Sequence, residues 1–290
     1  MELPLVVGVD GSEPSLGAVD WAADEAALRG VPLRVVYASL WERYEGIAPA
    51  QALNKPSDQV MAEDIVAGAA RRAQGRHADL KVVTDVLPEE PEYALVRESR
   101  SACALVVGTR GRGGIVDMLL GSVSLTLAAH ADCPVIVLRG SHDNQTAPDT
   151  HGRIVVGVGE HPEHSAAVRF ALEEAQRRRV PLEAVRAWRR TAPATTDQAL
   201  PTAESARLPE RQAAEELDKA LSDAPADVEI HPRTAEGHAR KVLLDASHGA
   251  DLLVIGAHRR GDRFGLQLGR VAHTVLHHSA CPVAVVPQRW

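Results

Sequence analysis

The sequence predicts an α/β protein made of two doubly wound parallel-sheet domains in tandem. Three observations predict it. First, the chain repeats itself. LVVGVD at 5–10 returns as IVVGVG at 154–159, ALVVG at 104–108 as LLVIG at 252–256, and CPVIVL at 133–138 as CPVAVV at 281–286, each at an offset of 148 or 149. Second, short Val-rich runs alternate with longer segments of helical spacing, the pattern of strand–helix–strand units. Third, the first, fourth and fifth apolar runs of each copy lack polar alternation, which suits parallel strands covered on both faces.

Each element has its own signal. In the first copy the apolar runs 4–9, 32–38, 80–86, 103–108 and 134–139 read as strands. A helix is expected over 15–29, where Ser12 and Pro14 mark a start and Ala18, Trp21, Ala22, Glu25 and Leu28 fall at helical intervals. Further helices are expected over 59–77, 91–101 and 122–131. The second copy matches, with strands at 153–158, 181–188, 227–234, 251–256 and 282–287 and helices at 164–179, 205–222, 238–248 and 270–279. Residues 39–57 and 189–204 follow the second strand of each copy and carry Pro49, Pro56, Pro193 and Pro201. They are expected as long loops or short irregular helices near the C-terminal strand edge, where such sheets bind ligands. The boundaries that follow are 1–139 and 153–290, joined by the polar linker GSHDNQTAPDTHG at 140–152.

Composition narrows the function classes. Of 290 residues, 45% are hydrophobic, 24% charged and only 3% aromatic, with a net charge of −7. Base-stacking platforms need aromatic faces, and nucleic-acid binding at large needs a basic footprint, so no nucleic acid is expected as a partner. The preference for Arg over Lys is read as compositional. Cys103, Cys133 and Cys281 form no C-x-x-C pair, so neither a zinc ribbon nor a disulfide framework is indicated, and packed thiols in a reducing compartment are expected. The run Leu3–Val9 ends at Asp10 and does not read as a signal peptide, and no apolar stretch reaches the ~18 residues of a membrane span. The expectation is a cytoplasmic protein without membrane contact.

The chemistry sits after the fourth strand, in GTRGRGGIVDMLLGSVS at 108–124. Gly108 ends the strand, Gly111, Gly113 and Gly114 follow in a loop, and Gly121 and Ser122 open a helix. Glycines let backbone amides approach an anion closely, and a helix start offers unpaired N–H groups and a positive dipole end. Arg110 and Arg112 add charge; Ser122 and Ser124 add hydroxyls. The set suits a polyphosphate. It lacks the Walker A form and does not follow the first strand as a dinucleotide fingerprint would. A surface loop with an N-capping serine is the plainer alternative.

The spacing Gly108-x2-Gly111-x9-Gly121-Ser122 resembles the nucleotide-binding pattern of the universal stress protein family. VVGVDGSEPSLGAVDWA at 6–22 and LAAHADCPVIVLR at 127–139 resemble that family's first strand and helix and its last helix and strand. Both copies align end to end, so the chain resembles a tandem, actinobacterial-type member. The resemblance implies Rossmann-like, flavodoxin-type five-stranded sheets, ATP as the ligand with or without Mg2+, and dimer-like pairing through the last strands, both within the chain and in a homodimer. By position, Gly108, Gly111, Gly121 and Ser122 would line the phosphates, with Arg110 and Ser124 beside them. Asp10 would meet the ribose side or a metal, and the backbone of Ala38 would hold the adenine. Asp10 has a second reading, an Asx turn leading into the first helix.

The second copy departs from this pattern. Asp10 becomes Gly159, Gly111 becomes Arg259, Ser122 becomes Arg270, Ser124 becomes Ala272 and Pro14 becomes Glu163, while Gly256 and Gly269 are kept. Either the arginines fill the cradle or pair with Glu160 or Glu163, or they take a different anion. Reduced or altered nucleotide binding is expected, because steric room is the first requirement of close backbone approach. His273 and His277 have i, i+4 spacing, but H-E-x-x-H is absent and no metal site is expected. Arg177, Arg178 and Arg179 end a helix, where cations complement the dipole. No catalytic arrangement stands out. The expected function is an ATP-binding stress-response regulator with the first copy as the intact site; the alternatives are a nucleotide-independent dimerisation scaffold and a slow ATPase.

Overall fold

The computed structural model describes residues 3–40, 58–109, 120–138, 152–159, 165–190, 203–258 and 268–288. The chain divides near residue 148 into two compact units. All of the linker but Gly152, and most of both proline-bearing loops, lie outside the described residues.

The first unit contains β1 (Leu5–Gly8), α1 (Glu13–Arg29), β2 (Leu33–Ala38), α2 (Asp58–Arg76), β3 (Val82–Leu87), α3 (Pro91–Glu98), β4 (Ala104–Gly108), α4 (Ser122–His130) and β5 (Val135–Leu138). Its strands are parallel and ordered β3-β2-β1-β4-β5. The chain builds outward from β1 to β3, then returns to add β4 on the other side of β1. Right-handed crossovers therefore put α1 and α2 on one face and α3 and α4 on the other. This is the Rossmann order, so the switch point, where a crevice opens above the strand ends, lies between β1 and β4.

The core follows from the aliphatic composition. β1, β5 and all of β4 except Gly108 are buried, as the absence of alternation predicts. Ala18, Ala22, Ala23 and Ala26 of α1 are buried, as are Ala62, Ala69 and Ala73 of α2. Small side chains at helical spacing let these helices lie close to one another and to the sheet. α1 begins at Ser12, whose hydroxyl accepts the Ser15 N–H at 3.4 Å, and ends at Gly30 in the left-handed region, φ +68°.

The second unit repeats the plan with β6 (Ile154–Gly157), α5 (Ala166–Arg178), β7 (Leu182–Trp188), α6 (Ala203–Ala220), β8 (Ile230–Glu236), α7 (Ala239–Ser247), β9 (Leu252–His258), α8 (Arg270–His278) and β10 (Val283–Gln288). The parallel order is β8-β7-β6-β9-β10. Arg179 takes the place of Gly30 and adopts the same left-handed conformation, φ 55°, at a cost of about 1–2 kcal/mol for a residue with a Cβ.

Two ion pairs compare the copies. Buried Glu25 pairs with Arg29 in α1, and buried Glu174 pairs with Arg178 at the same place in α5. Across β2 and β3 the sign reverses. Arg34 Nε donates to Asp85 Oδ2 at 2.6 Å, and Arg34 also pairs with Glu98. In the second unit Glu183 stands at the place of Arg34 and Arg233 at that of Asp85; they pair at 2.8 Å, with Arg153 on the other Glu183 oxygen at 3.0 Å. Ala246 replaces Glu98.

Two outcomes follow. Arg34→Glu alone should destabilise the first unit by about 2 kcal/mol, since it leaves like charges in a partly screened, half-buried site. Adding Asp85→Arg and Glu98→Ala, which installs the second unit's arrangement, should recover most of the loss in urea unfolding. Burial pushes the thiols of Cys133 and Cys281 up to about 12, and also raises that of Cys103. An alkylating reagent at mildly alkaline pH should therefore modify Cys133 and Cys281 only after denaturation, as read by peptide mass spectrometry, because the neutral buried thiol is inert.

Candidate functional site

Of the residues singled out in the first unit, those described stand at the C-terminal ends of β1, β2 and β4 and at the start of α4. Asp10 follows β1, Ala38 ends β2, Gly108 ends β4, Gly121 caps α4, and Ser122 and Ser124 lie in its first turn. Arg110 and Gly111 fall outside the described residues.

The stem of the glycine loop is pinned at both sides. The Thr109 N–H donates to the Leu138 carbonyl and the Gly121 N–H to the Thr109 carbonyl, both at 2.7 Å. The Ser124 hydroxyl donates to the Gly108 carbonyl at 2.7 Å and is buried. That proton is committed to the stem. Gly108 has a steric reason of its own: a Cβ there would lie 2.8 Å from the Pro14 backbone. The glycine admits the start of α1 to the end of β4.

Above the stem, α4 starts at Gly121 in extended backbone, and no side chain caps it among the described residues. Its first-turn N–H groups, with the positive end of the helix dipole, face the crevice rim. Ser122 is exposed and its hydroxyl donates to Glu92 Oε1 at 2.9 Å. Asp10 accepts the Ser12 N–H at 3.0 Å and the Ser12 hydroxyl at 2.6 Å, with Gly11 at φ +79°. This is the Asx turn of the second sequence reading. The site thus combines an anion-seeking helix start with two carboxylates, Asp10 and Glu92. Glu92 gave no signal in the sequence, since its partner is thirty residues away.

The second unit keeps the frame and changes the rim. Gly269 caps α8 as Gly121 caps α4, and Ala272, buried, replaces Ser124, so its stem lacks that hydroxyl bond. Gly159 provides no carboxylate for a turn. The Gln288 amide packs on Gly256, where a Cβ would lie 2.5 Å from its Nε2, and donates to the capping Ser165 hydroxyl at 2.8 Å. Gln288 is a second residue that sequence reasoning missed. Arg270 is exposed at the first position of α8. Arg259, Glu160 and Glu163 lie outside the described residues.

The other candidates resolve into local structure. His273 and His277 stack with ring centroids 4.4 Å apart. Among the described residues no three His, Cys, Asp or Glu side chains gather as a metal ion would require. Arg177 and Arg178 pair with Glu173 and Glu174 on their own helix. No helix among the described residues is long and apolar enough to cross a membrane.

Fold and site together define a duplicated, doubly wound α/β protein with a glycine-capped helix start at each switch point. The comparisons with known proteins give this class its family. The Universal stress protein family matches residues 3–139 and again 150–287. The chain is 35% identical to Universal stress protein Rv2005c of Mycobacterium tuberculosis, covering 98% of this chain and 97% of that one. It is 32% identical to Universal stress protein Rv1996 of the same organism, covering 99% and 96%. A universal stress protein from Archaeoglobus fulgidus of known crystal structure shares the fold at TM-score 0.69 and 18% identity, covering 99% of this chain and 98% of that one. The chain belongs to the universal stress protein family, as a tandem member.

The stem hydrogen bond is testable by itself. Ser124→Ala should cost about 1 kcal/mol locally. Peptides covering 122–130 should then exchange their amide hydrogens about fivefold faster in the full chain, with the second unit unchanged.

Proposed function

We propose that the chain is a cytoplasmic, ATP-binding regulator of the stress response, and that the first unit holds the nucleotide. The observation that carries this reading is the start of α4, glycine-capped and without a side-chain cap among the described residues, at the switch point of the sheet. The residues present fit the ligand. The α4 amides, Gly108, Gly111, Gly121, Ser122 and Arg110 would hold the phosphates. The carboxylates of Asp10 and Glu92 suit a Mg2+ ion travelling with them, since bare carboxylates would repel a triphosphate. Ala38 would meet the adenine through its backbone, and Ser124 would hold the loop in place. Micromolar affinity requires about 8 kcal/mol, within reach of several charge-assisted hydrogen bonds at about 1.5–3 kcal/mol each. ATP bound so close to the loop would couple nucleotide state to the surface it presents, the action of a regulator. A homodimer through the apolar last strand belongs to the same proposal.

Calorimetry on the full chain tests it. One ATP per chain is expected. Gly111→Arg and Ser122→Arg, which install the residues the second copy carries, should each weaken binding at least tenfold, about 1.4 kcal/mol. Two equal sites would overturn the inequality of the copies. No binding would leave the nucleotide-independent scaffold, and sustained turnover would make the chain an ATPase.

A further inference from the structure

The second unit carries a cavity that the first unit's chemistry does not explain. It is open, about 640 Å3 in volume, and lies at the C-terminal end of β7 between α6 and the starts of α7 and α8. That volume suits a small ligand. Arg186, Arg189, Arg240 and Arg270 line it, with His238, against the single carboxylate of Glu216. This concentration of positive charge stands in a chain of net charge −7.

The arginines divide into two sets. Arg186 is a fixed element: its Nη1 donates to the Val158 carbonyl at 3.2 Å and its Nη2 lies 2.5 Å from Glu216 Oε2. Its Nε is buried with no hydrogen-bond partner among the described residues. Arg189 Nη1 donates to His238 Nδ1 at 3.4 Å, which ties the two side chains together on the cavity wall. Arg240 and Arg270 are exposed, and their side chains have no ion pair or hydrogen bond among the described residues.

The duplicated sequence supplies an internal control. The places of Arg189, His238, Arg240 and Arg270 are held in the first copy by Leu40, Glu90, Glu92 and Ser122, and that of Arg186 by Tyr37. Residues drawn from the ends of three elements, far apart in sequence, have all changed in the same electrostatic direction around one cavity. Compositional preference for Arg acts on no such spatial pattern. Forked guanidinium groups match phosphate oxygens in geometry as well as charge.

We infer that the second unit binds a small phosphate-bearing polyanion in this cavity, gripped by Arg189, Arg240 and Arg270 and seated against Arg186. The inference is independent of ATP binding by the first unit, and the test keeps the two apart. Inorganic tripolyphosphate is titrated into the full chain carrying Gly111→Arg, which blocks the first unit's loop. One site per chain is expected, weakened at least tenfold by adding Arg240→Ala with Arg270→Ala, and weakening steeply with added salt. Both side chains are exposed, so an unchanged Tm verifies that the variant folds; Arg189→Ala, also exposed, is a separate replacement expected to weaken binding in the same way. Absence of tripolyphosphate binding, or binding that survives the removal of Arg240 and Arg270, overturns the inference. So does citrate binding in place of tripolyphosphate, which would make the ligand a carboxylate. Loss of ATP binding by the unmodified chain, with tripolyphosphate still held at Arg240 and Arg270, would sink the first-unit reading alone.

Discussion

A parallel sheet of aliphatic strands must be covered on both faces, and everything else in this protein depends on that constraint. β1, β4 and β5 have no polar face to offer water. Helices must therefore pack above and below, and the chain can supply them only by building outward from β1 and then crossing back to β4. The crossing leaves α1 and α4 starting from adjacent strand ends on opposite faces. The crevice, the exposed helix start and the close approach of Pro14 to Gly108 are consequences of that single reversal. The scarcity of aromatic residues fits the same requirement, since alanine-rich helices settle close to a flat aliphatic surface.

Duplication has held this scaffold fixed while its rim has changed. The left-handed caps that end α1 and α5, the glycines before α4 and α8, and the buried glutamate–arginine pairs recur in both units. At the C-terminal strand edge the copies part. Asp10, Glu90, Glu92 and Ser122 make the first rim acidic and hydroxyl-bearing; Gly159, His238, Arg240 and Arg270 make the second basic. The sheet below tolerates both because rim residues sit on loops and helix starts, where a change of charge alters no core contact.

Periodicity and punctuation made most of the scaffold legible in the sequence. The expected helix over 15–29 is found at Glu13–Arg29, its start moved by Pro14 sitting inside the first turn. The helix expected over 91–101 stops at Glu98 and finishes in a tighter turn, Ser99–Ser101. The strand expected over 227–234 begins three residues later, at Ile230, because the buried Val228 belongs to a turn whose N–H reaches back to Pro225. Of the candidate site, the local geometry was legible: the glycine cap at Gly121 and the Asp10–Ser12 turn follow from local spacing. Partners distant in sequence were not. Nothing in local pattern points Ser124 at the Gly108 carbonyl, Ser122 at Glu92, or Gln288 across Gly256, since each depends on how separate elements are stacked.

The reversed ion pair between the second and third strands of each unit bears on how a duplicated chain folds. Tandem copies of one fold are prone to assemble with a strand borrowed from the wrong copy, because the borrowed strand carries nearly the right apolar pattern. Here a third strand taken from the second unit would set Arg233 against Arg34, and one taken from the first would set Asp85 against Glu183. Each correct assembly joins opposite charges and each mixed one joins like charges in a half-buried place. The inversion therefore works as a checksum on strand pairing, one that favours a third strand paired within its own copy over a borrowed one with the same hydrophobic content.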